Sequence, residues 1–234
     1  MVGHWPLDEG SGKTAADIAS PAHPLTLAGG MSWTDGRWFD ADPTDRGVGF
    51  DGASAVANTA AAEVIQADQN FSVSTWVRVR VPTGRRVALS QGGTPTRGFT
   101  LGSTPAGTDE DGNKLVAFEF ALPNPDAAAP AGKKEIVARS EGMVVLMDEW
   151  VHLTGVYEAG NKVLSLYVNG DVVDSVDVEF SPVNETGAVR VGRAQNGAAA
   201  PAFWLGDIDD IRAFAGALDE TQVEFLVADA RPKP

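Results

Sequence analysis

The chain has 234 residues, of which 32 are acidic and 18 basic, giving a formal net charge of −14, and it has no cysteine. Such a balance repels phosphate backbones and anionic headgroups, so nucleic acid and anionic lipid are excluded as expected partners. The missing cysteines exclude disulfides, thiolate catalysis and cysteine-based zinc sites. No run approaches the ~20 apolar residues of a membrane helix, and hydrophobic residues at 43% suffice for a large core.

Along the chain, Met1-Val2-Gly3-His4-Trp5 lacks the basic start and apolar core of a signal peptide. Structure begins almost at once, as expected of one domain, residues 1–234, taken from or forming part of a longer protein. Asp35-Gly36 and Asp51-Gly52 are turn signals. Residues 71–81 alternate strictly: Phe71, Val73, Thr75, Val77, Val79 and Val81 on one face, Ser72, Ser74, Trp76, Arg78 and Arg80 on the other. That period of two marks a half-buried strand. Loops are expected at 104–113 and, in a Pro- and Ala-rich stretch, at 123–134.

Strand character recurs at 115–122, 135–139, 151–158, 163–168, 172–178 and 188–192, in runs rich in Val, Leu, Phe and Tyr. Asn169-Gly170 lies between two of these runs, and both residues tolerate the positive φ that a two-residue hairpin turn requires. One late helix is signalled by Asp219 as its cap, Gln222 three residues on, and an apolar side of Val223, Phe225 and Leu226. Many short strands and one helix predict an all-β, two-sheet antiparallel sandwich of jelly-roll type.

The ordered set of motifs resembles a laminin-G-like, concanavalin A-like jelly-roll domain. Trp5-Pro6-Leu7-Asp8-Glu9-Gly10-Ser11-Gly12 with Ala16-Asp17 resembles its first strand and loop, and Gly49-Phe50-Asp51-Gly52 its "F-D-G" segment. Residues 71–77 resemble the strand that follows, and 150–157 with 166–170 its central hairpin. Gly206-Asp207-Ile208-Asp209-Asp210-Ile211-Arg212-Ala213-Phe214 resembles its closing strand. Domains of this kind are often appended to bacterial surface and carbohydrate-active proteins. The resemblance therefore implies an extracellular or cell-surface, non-catalytic module that binds a polysaccharide or other glycan. A protein-binding adhesion or scaffolding domain is the alternative, and a glycoside hydrolase the more distant one.

The resemblance also implies a structural calcium ion near the start of the fold, held by Asp17, Asp209 and Asp210 through carboxylate oxygens. Ile208 and Ile211 are three apart and cannot share a face of a regular strand, which predicts a bulge at Asp209-Asp210. Two adjacent carboxylates there need a cation or Arg212 to offset their repulsion, and pairing with Arg212 is the other reading. Asp109-Glu110-Asp111-Gly112-Asn113 resembles the start of a calcium loop, but its twelfth position is Phe120, not Glu, which favours a solvated loop. Asp207-Ile208-Asp209 has the alternate spacing of a hydrolytic pair, yet Arg212 stands where the resembled glycosidase motif ends in Glu. His4, His23 and His152 are scattered, and His152, in a strand beside Trp150, reads as structural. For stacking on sugar rings, the candidates are Trp33, Trp38, Trp76 and Trp204, with Trp33 and Trp38 expected in a loop, Trp76 expected to face outward, and Trp5 and Trp150 assigned to the core.

Overall fold

A computed structural model of the chain describes residues 1–60, 63–81, 83–93, 98–141, 149–184, 186–194 and 201–228. Two large antiparallel sheets dominate. In the first, the strands run edge to edge as Asp171–Asp177, Val163–Val168, Trp150–Glu158, Phe71–Val79, Leu205–Phe214, Arg46–Asp51 and Ser32–Asp35. In the second they run Glu135–Arg139, Lys114–Pro123, Phe99–Thr108, Arg86–Gln91, Val189–Val191, Val56–Asn58, Leu25–Ala28 and Thr14–Ala15. The short helix Glu220–Ala228 follows the closing strand. The all-β sandwich expected from the sequence is the fold observed.

The inner faces meet through aromatic rings. Phe71 and Tyr157 of the first sheet pack with Phe99 and Phe120 of the second, the Phe71 centroid lying 5.4 Å from Phe99, 6.0 Å from Phe120 and 5.9 Å from Tyr157. All four side chains are buried. Gly155, midway along Trp150–Glu158, makes this approach possible: a Cβ there would lie 2.5 Å from the Phe120 ring. The sheet spacing at this point is therefore set by the missing side chain.

Local signals resolve as expected at both ends of the second half. Asn169 (φ 53) and Gly170 (φ 98) turn Val163–Val168 into Asp171–Asp177. At the helix start, Asp219 Oδ1 accepts from the Gln222 N–H at 2.8 Å while Gln222 Oε1 accepts from the Asp219 N–H at 3.0 Å, a complete capping box. The bulge is also present: the register of Leu205–Phe214 against Phe71–Val79 shifts between Asp209 and Arg212, with Asp210 at φ 43. It falls where the strand changes its outer neighbour, from Arg46–Asp51 beside residues 205–208 to Gly3–Trp5 beside residues 211–213. Thr75, on the otherwise apolar face, faces this irregularity and donates its hydroxyl to the Asp209 carbonyl at 2.9 Å.

Two expectations are corrected. Residues 104–108 are strand, not loop, because Phe99–Thr108 pairs with Lys114–Pro123 across a register shift and only 109–113 turn. Ladder pairing there overrides a Pro- and Gly-rich local sequence. Trp33 lies in the edge strand Ser32–Asp35, not in a loop. At the opposite edge Asp171, Asp174 and Asp177 recur along the strand, and Asp174 Oδ2 accepts the backbone N–H of Arg139, from the edge strand of the second sheet, at 2.8 Å.

Replacing Gly155 with Val is expected to force Phe120 from its position and to destabilise the fold by about 1–3 kcal/mol. Urea unfolding compared with the unchanged chain measures it; an equal midpoint would show that the rings tolerate a wider spacing.

Candidate functional site

The outer face of the first sheet, turned away from the sandwich core, is not a plain solvent face. Cross-strand register places Trp150 beside Arg78, Arg78 beside Asp207, and Asp207 beside Gly49; the next row places His152 beside Trp76 and Trp76 beside Asp209. Trp76 does point away from the sandwich interior, but it is only 3% exposed. It is covered by the segment after Asp35. The edge of Trp38 meets its ring at 6.2 Å, and the Arg37 guanidinium lies 4.5 Å from the Trp38 centroid and 4.7 Å from that of Trp76. His152 closes the cluster, 5.0 Å from Trp76.

Beneath this cover lie buried carboxylates, each met by donors. Asp207 takes Arg78 Nε at 2.9 Å and Arg80 Nη2 at 2.6 Å. Asp209 accepts the Arg37 backbone N–H at 2.8 Å. Asp210 faces His4 Nε2 at 2.8 Å and Arg212 Nη2 at 3.0 Å. Asp17 accepts three backbone N–H groups, from His4 (2.8 Å), Ala19 (2.9 Å) and His23 (2.8 Å). His4 thus joins Asp17 through its backbone and Asp210 through its ring, tying the first strand to the bulge. Asp45 adds one more such contact by accepting the Trp38 N–H at 2.6 Å.

These partners bear on the expected metal and on the hydrolytic pair. A calcium cage needs several oxygen lone pairs turned to one point. Here Asp17 is directed at N–H groups and Asp210 at a guanidinium and an imidazole. Among the described residues, no group of three or more His, Cys, Asp or Glu side chains is placed to hold an ion. The donor set fits a network neutralised by the protein's own cations better than it fits calcium. Asp207, clamped by two arginines, likewise has no arrangement for activating water. The Asp109 loop is closed on itself, its carboxylate accepting from Asp111 N and from Asn113 N and Nδ2 at 2.7–3.0 Å.

Of the tryptophans singled out for stacking, Trp38 and Trp76 come together edge to face, Trp76 buried and Trp38 half-buried above it. Trp204 is 1% exposed. Trp33 packs partly against the core and donates Nε1–H to the Gly12 carbonyl at 3.1 Å. The ring that lines a cleft is Trp150. A cleft of about 480 Å³ is bounded by Asp35, Gly36, Arg37, Phe39, Asp40, Arg78, Glu149 and Trp150. Trp150 is half-buried, with the Arg78 guanidinium 4.8 Å from its ring centroid. Gly47 lies beside the ring, and a Cβ there would crowd the Ile208 carbonyl at 3.0 Å while meeting the ring edge at an ordinary 3.5 Å. A signal for Trp150 was in the sequence: Val151 and Leu153 alternate with Trp150, His152 and Thr154, which sets the ring on the outer face. Phe39 and Arg37 carry no periodic signal, because they reach the cleft from a loop.

The concanavalin A-like lectin/glucanases family model matches residues 51–224. No curated protein sequence matches the chain. Among solved structures, domain 4 of AbnA, an extracellular GH43 arabinanase from Geobacillus stearothermophilus solved with arabinotriose, superposes with a TM-score of 0.65 at 18% identity, covering 97% of both chains. The binding domain of botulinum neurotoxin serotype G gives 0.65 at 12% identity over 97% of this chain, and that of Paraclostridial Mosquitocidal Protein 1 gives 0.65 at 15% over 94%. The chain spans about half of each toxin domain, 50% and 52% respectively. At these identities the likeness concerns the fold.

Two outcomes follow from the buried network. Excess calcium and excess chelator are expected to give the same melting temperature, because Arg212, the His4 ring and backbone N–H groups already engage the carboxylate oxygens; a clear rise with calcium would show an ion displacing them. His152 supplies the second. Burial chiefly, and Arg212 in addition, pull its pKa from 6.5 down to about 4 despite the opposing pull of Asp210. The folded pKa lies below the unfolded one, so the unfolded chain binds the proton first. The contribution of neutral His152 is complete above about pH 6.5 and is lost as the pH falls toward about 4. His152→Gln is expected to flatten the pH dependence of unfolding free energy in that window, as read from denaturant titrations at a series of pH values.

Proposed function

As the chain belongs to the concanavalin A-like lectin/glucanases superfamily, we propose that it is a non-catalytic binding module that holds a glycan in the Trp150 cleft. The observation that carries this reading is a half-buried indole lining a cleft of sugar-binding size, about 480 Å³. Arg78 holds the ring from one side and is itself held by Asp207. A ring so fixed loses little freedom when a sugar's apolar C–H face stacks on it. Asp35, Asp40 and Glu149 stand around it as acceptors for hydroxyls. The arabinanase domain solved with arabinotriose supports a carbohydrate ligand on this fold, and the binding domains of the toxins support a binding role. An extracellular setting accords with the extracellular arabinanase to which that domain belongs.

Among the described residues, the acidic side chains nearest a hydrolytic spacing, Asp207 and Asp209, are buried and engaged, which supports binding over bond cleavage. A protein ligand would be favoured by a broad apolar patch; the cleft is instead small and mostly polar in its lining.

Trp150→Ala is expected to weaken retention of soluble polysaccharides by about tenfold, about 1.4 kcal/mol for one stacked ring by analogy with aromatic pairs, with a melting curve confirming that the variant still folds. Affinity electrophoresis over a panel of polysaccharides measures it. Retention that is the same with and without the indole would remove the cleft from the function.

A further inference from the structure

The charges around the cleft are unevenly committed. Both of its cations are engaged with side chains of the protein, one by a carboxylate and the other by aromatic rings. Arg78 is bound to Asp207, and the Arg37 guanidinium is stacked between Trp38 and Trp76. Its three acids, Asp35, Asp40 and Glu149, are all exposed on the rim, and among the described residues none of them forms an ion pair. The ring faces nearby are in contact with cations wherever the protein supplies them: Arg78 on Trp150, Arg46 on Phe39 at 5.0 Å, Arg37 on Trp38 and Trp76. The cleft therefore offers aromatic surface together with carboxylates that no internal cation has claimed, on a chain whose net charge of −14 draws cations from a distance.

We propose that the cleft selects glycans bearing protonated amino groups, such as polymers of de-N-acetylated aminosugars, and rejects those bearing carboxylates or sulfates. This rests on reading the Trp150 cleft as a glycan site. One sugar ring stacks on the indole, and the ammonium groups of that ring and its neighbour lie against the carboxylate rim. A uronate in the same place meets like charge. A neutral sugar retains the stacking and loses the ion contacts.

The test compares length-matched β-1,4-linked oligomers of glucosamine, N-acetylglucosamine, glucose and a uronic acid by calorimetry at pH 6, using the full chain. The glucosamine oligomer is expected to bind about tenfold more tightly than the neutral ones, as exposed ion pairs acting together allow, and the uronate oligomer not measurably. That preference is expected to shrink as salt is raised. Asp40→Asn and Glu149→Gln are each expected to narrow the ratio between amine and neutral ligands, with melting curves confirming that both variants fold. Equal binding of amine and neutral oligomers, still lost in Trp150→Ala, overturns the charge selection and leaves the cleft as a glycan site. Binding of no oligomer, or binding indifferent to Trp150→Ala, overturns both. A lysine-rich peptide that binds through Trp150 where the glucosamine oligomer does not would overturn the assignment to a glycan.

Discussion

A carboxylate without a path to water has to be met by donors, and the closing strand of this protein carries three of them, Asp207, Asp209 and Asp210, all buried. Ile208 and Ile211 of the same strand face the sandwich core, so the strand is covered on both sides. Its outer cover consists largely of the groups that answer the carboxylates. Arg78 comes from the neighbouring strand and Arg80 from just past its end, His4 from the first strand, and a backbone N–H of Arg37 from the loop after Ser32–Asp35. That loop is drawn onto the sheet by this bond, and its arrival walls the cleft in which Trp150 stands. The position of the cleft is thus a consequence of charge compensation on the sheet's outer face.

The bulge gives the same strand two outer neighbours. A regular strand would have turned Asp209 and Arg212 to opposite faces. The extra residue lets both lie on the outer face, beside Trp76 and Ser74 respectively, and Asp210 takes the left-handed conformation that its short polar side chain tolerates. The carbonyl displaced from the ladder is recovered by Thr75. Backbone irregularity, carboxylate placement and the junction of first and last strands are therefore parts of a single arrangement.

How much of this could be read beforehand depended on range. The hairpin at Asn169-Gly170, the Asp219–Gln222 cap and the bulge between Ile208 and Ile211 are local, and each follows from residues within a few positions. The two-sheet sandwich followed from alternation and motif order. The site was less legible. Alternation correctly turned Trp76 away from the core, but it could not show that a loop from residues 36–45 covers it, because that cover depends on contacts more than 100 residues apart, such as Arg37 with Asp209. Trp150 was assigned to the core although its own strand alternates it outward, because large aromatic rings are usually well buried. The acidic pair read as a metal site has the composition of one, but what compensates it, His4 from the far end of the chain, is set by tertiary structure.

The contact between Asp174 and the Arg139 N–H has a bearing on solubility. An edge strand is a template for a further strand, and a sandwich exposes several such edges. Here one sheet's edge lends a carboxylate to an amide at the edge of the other, so that a side chain stands where an incoming strand would otherwise bond. Asp171 and Asp177 place further negative charge along the same margin. Two molecules meeting edge to edge there would have to bring these charges together and break the seam. The margin thus acts against self-association at high local concentration, the condition a module meets when it is repeated along one chain or displayed densely on a surface.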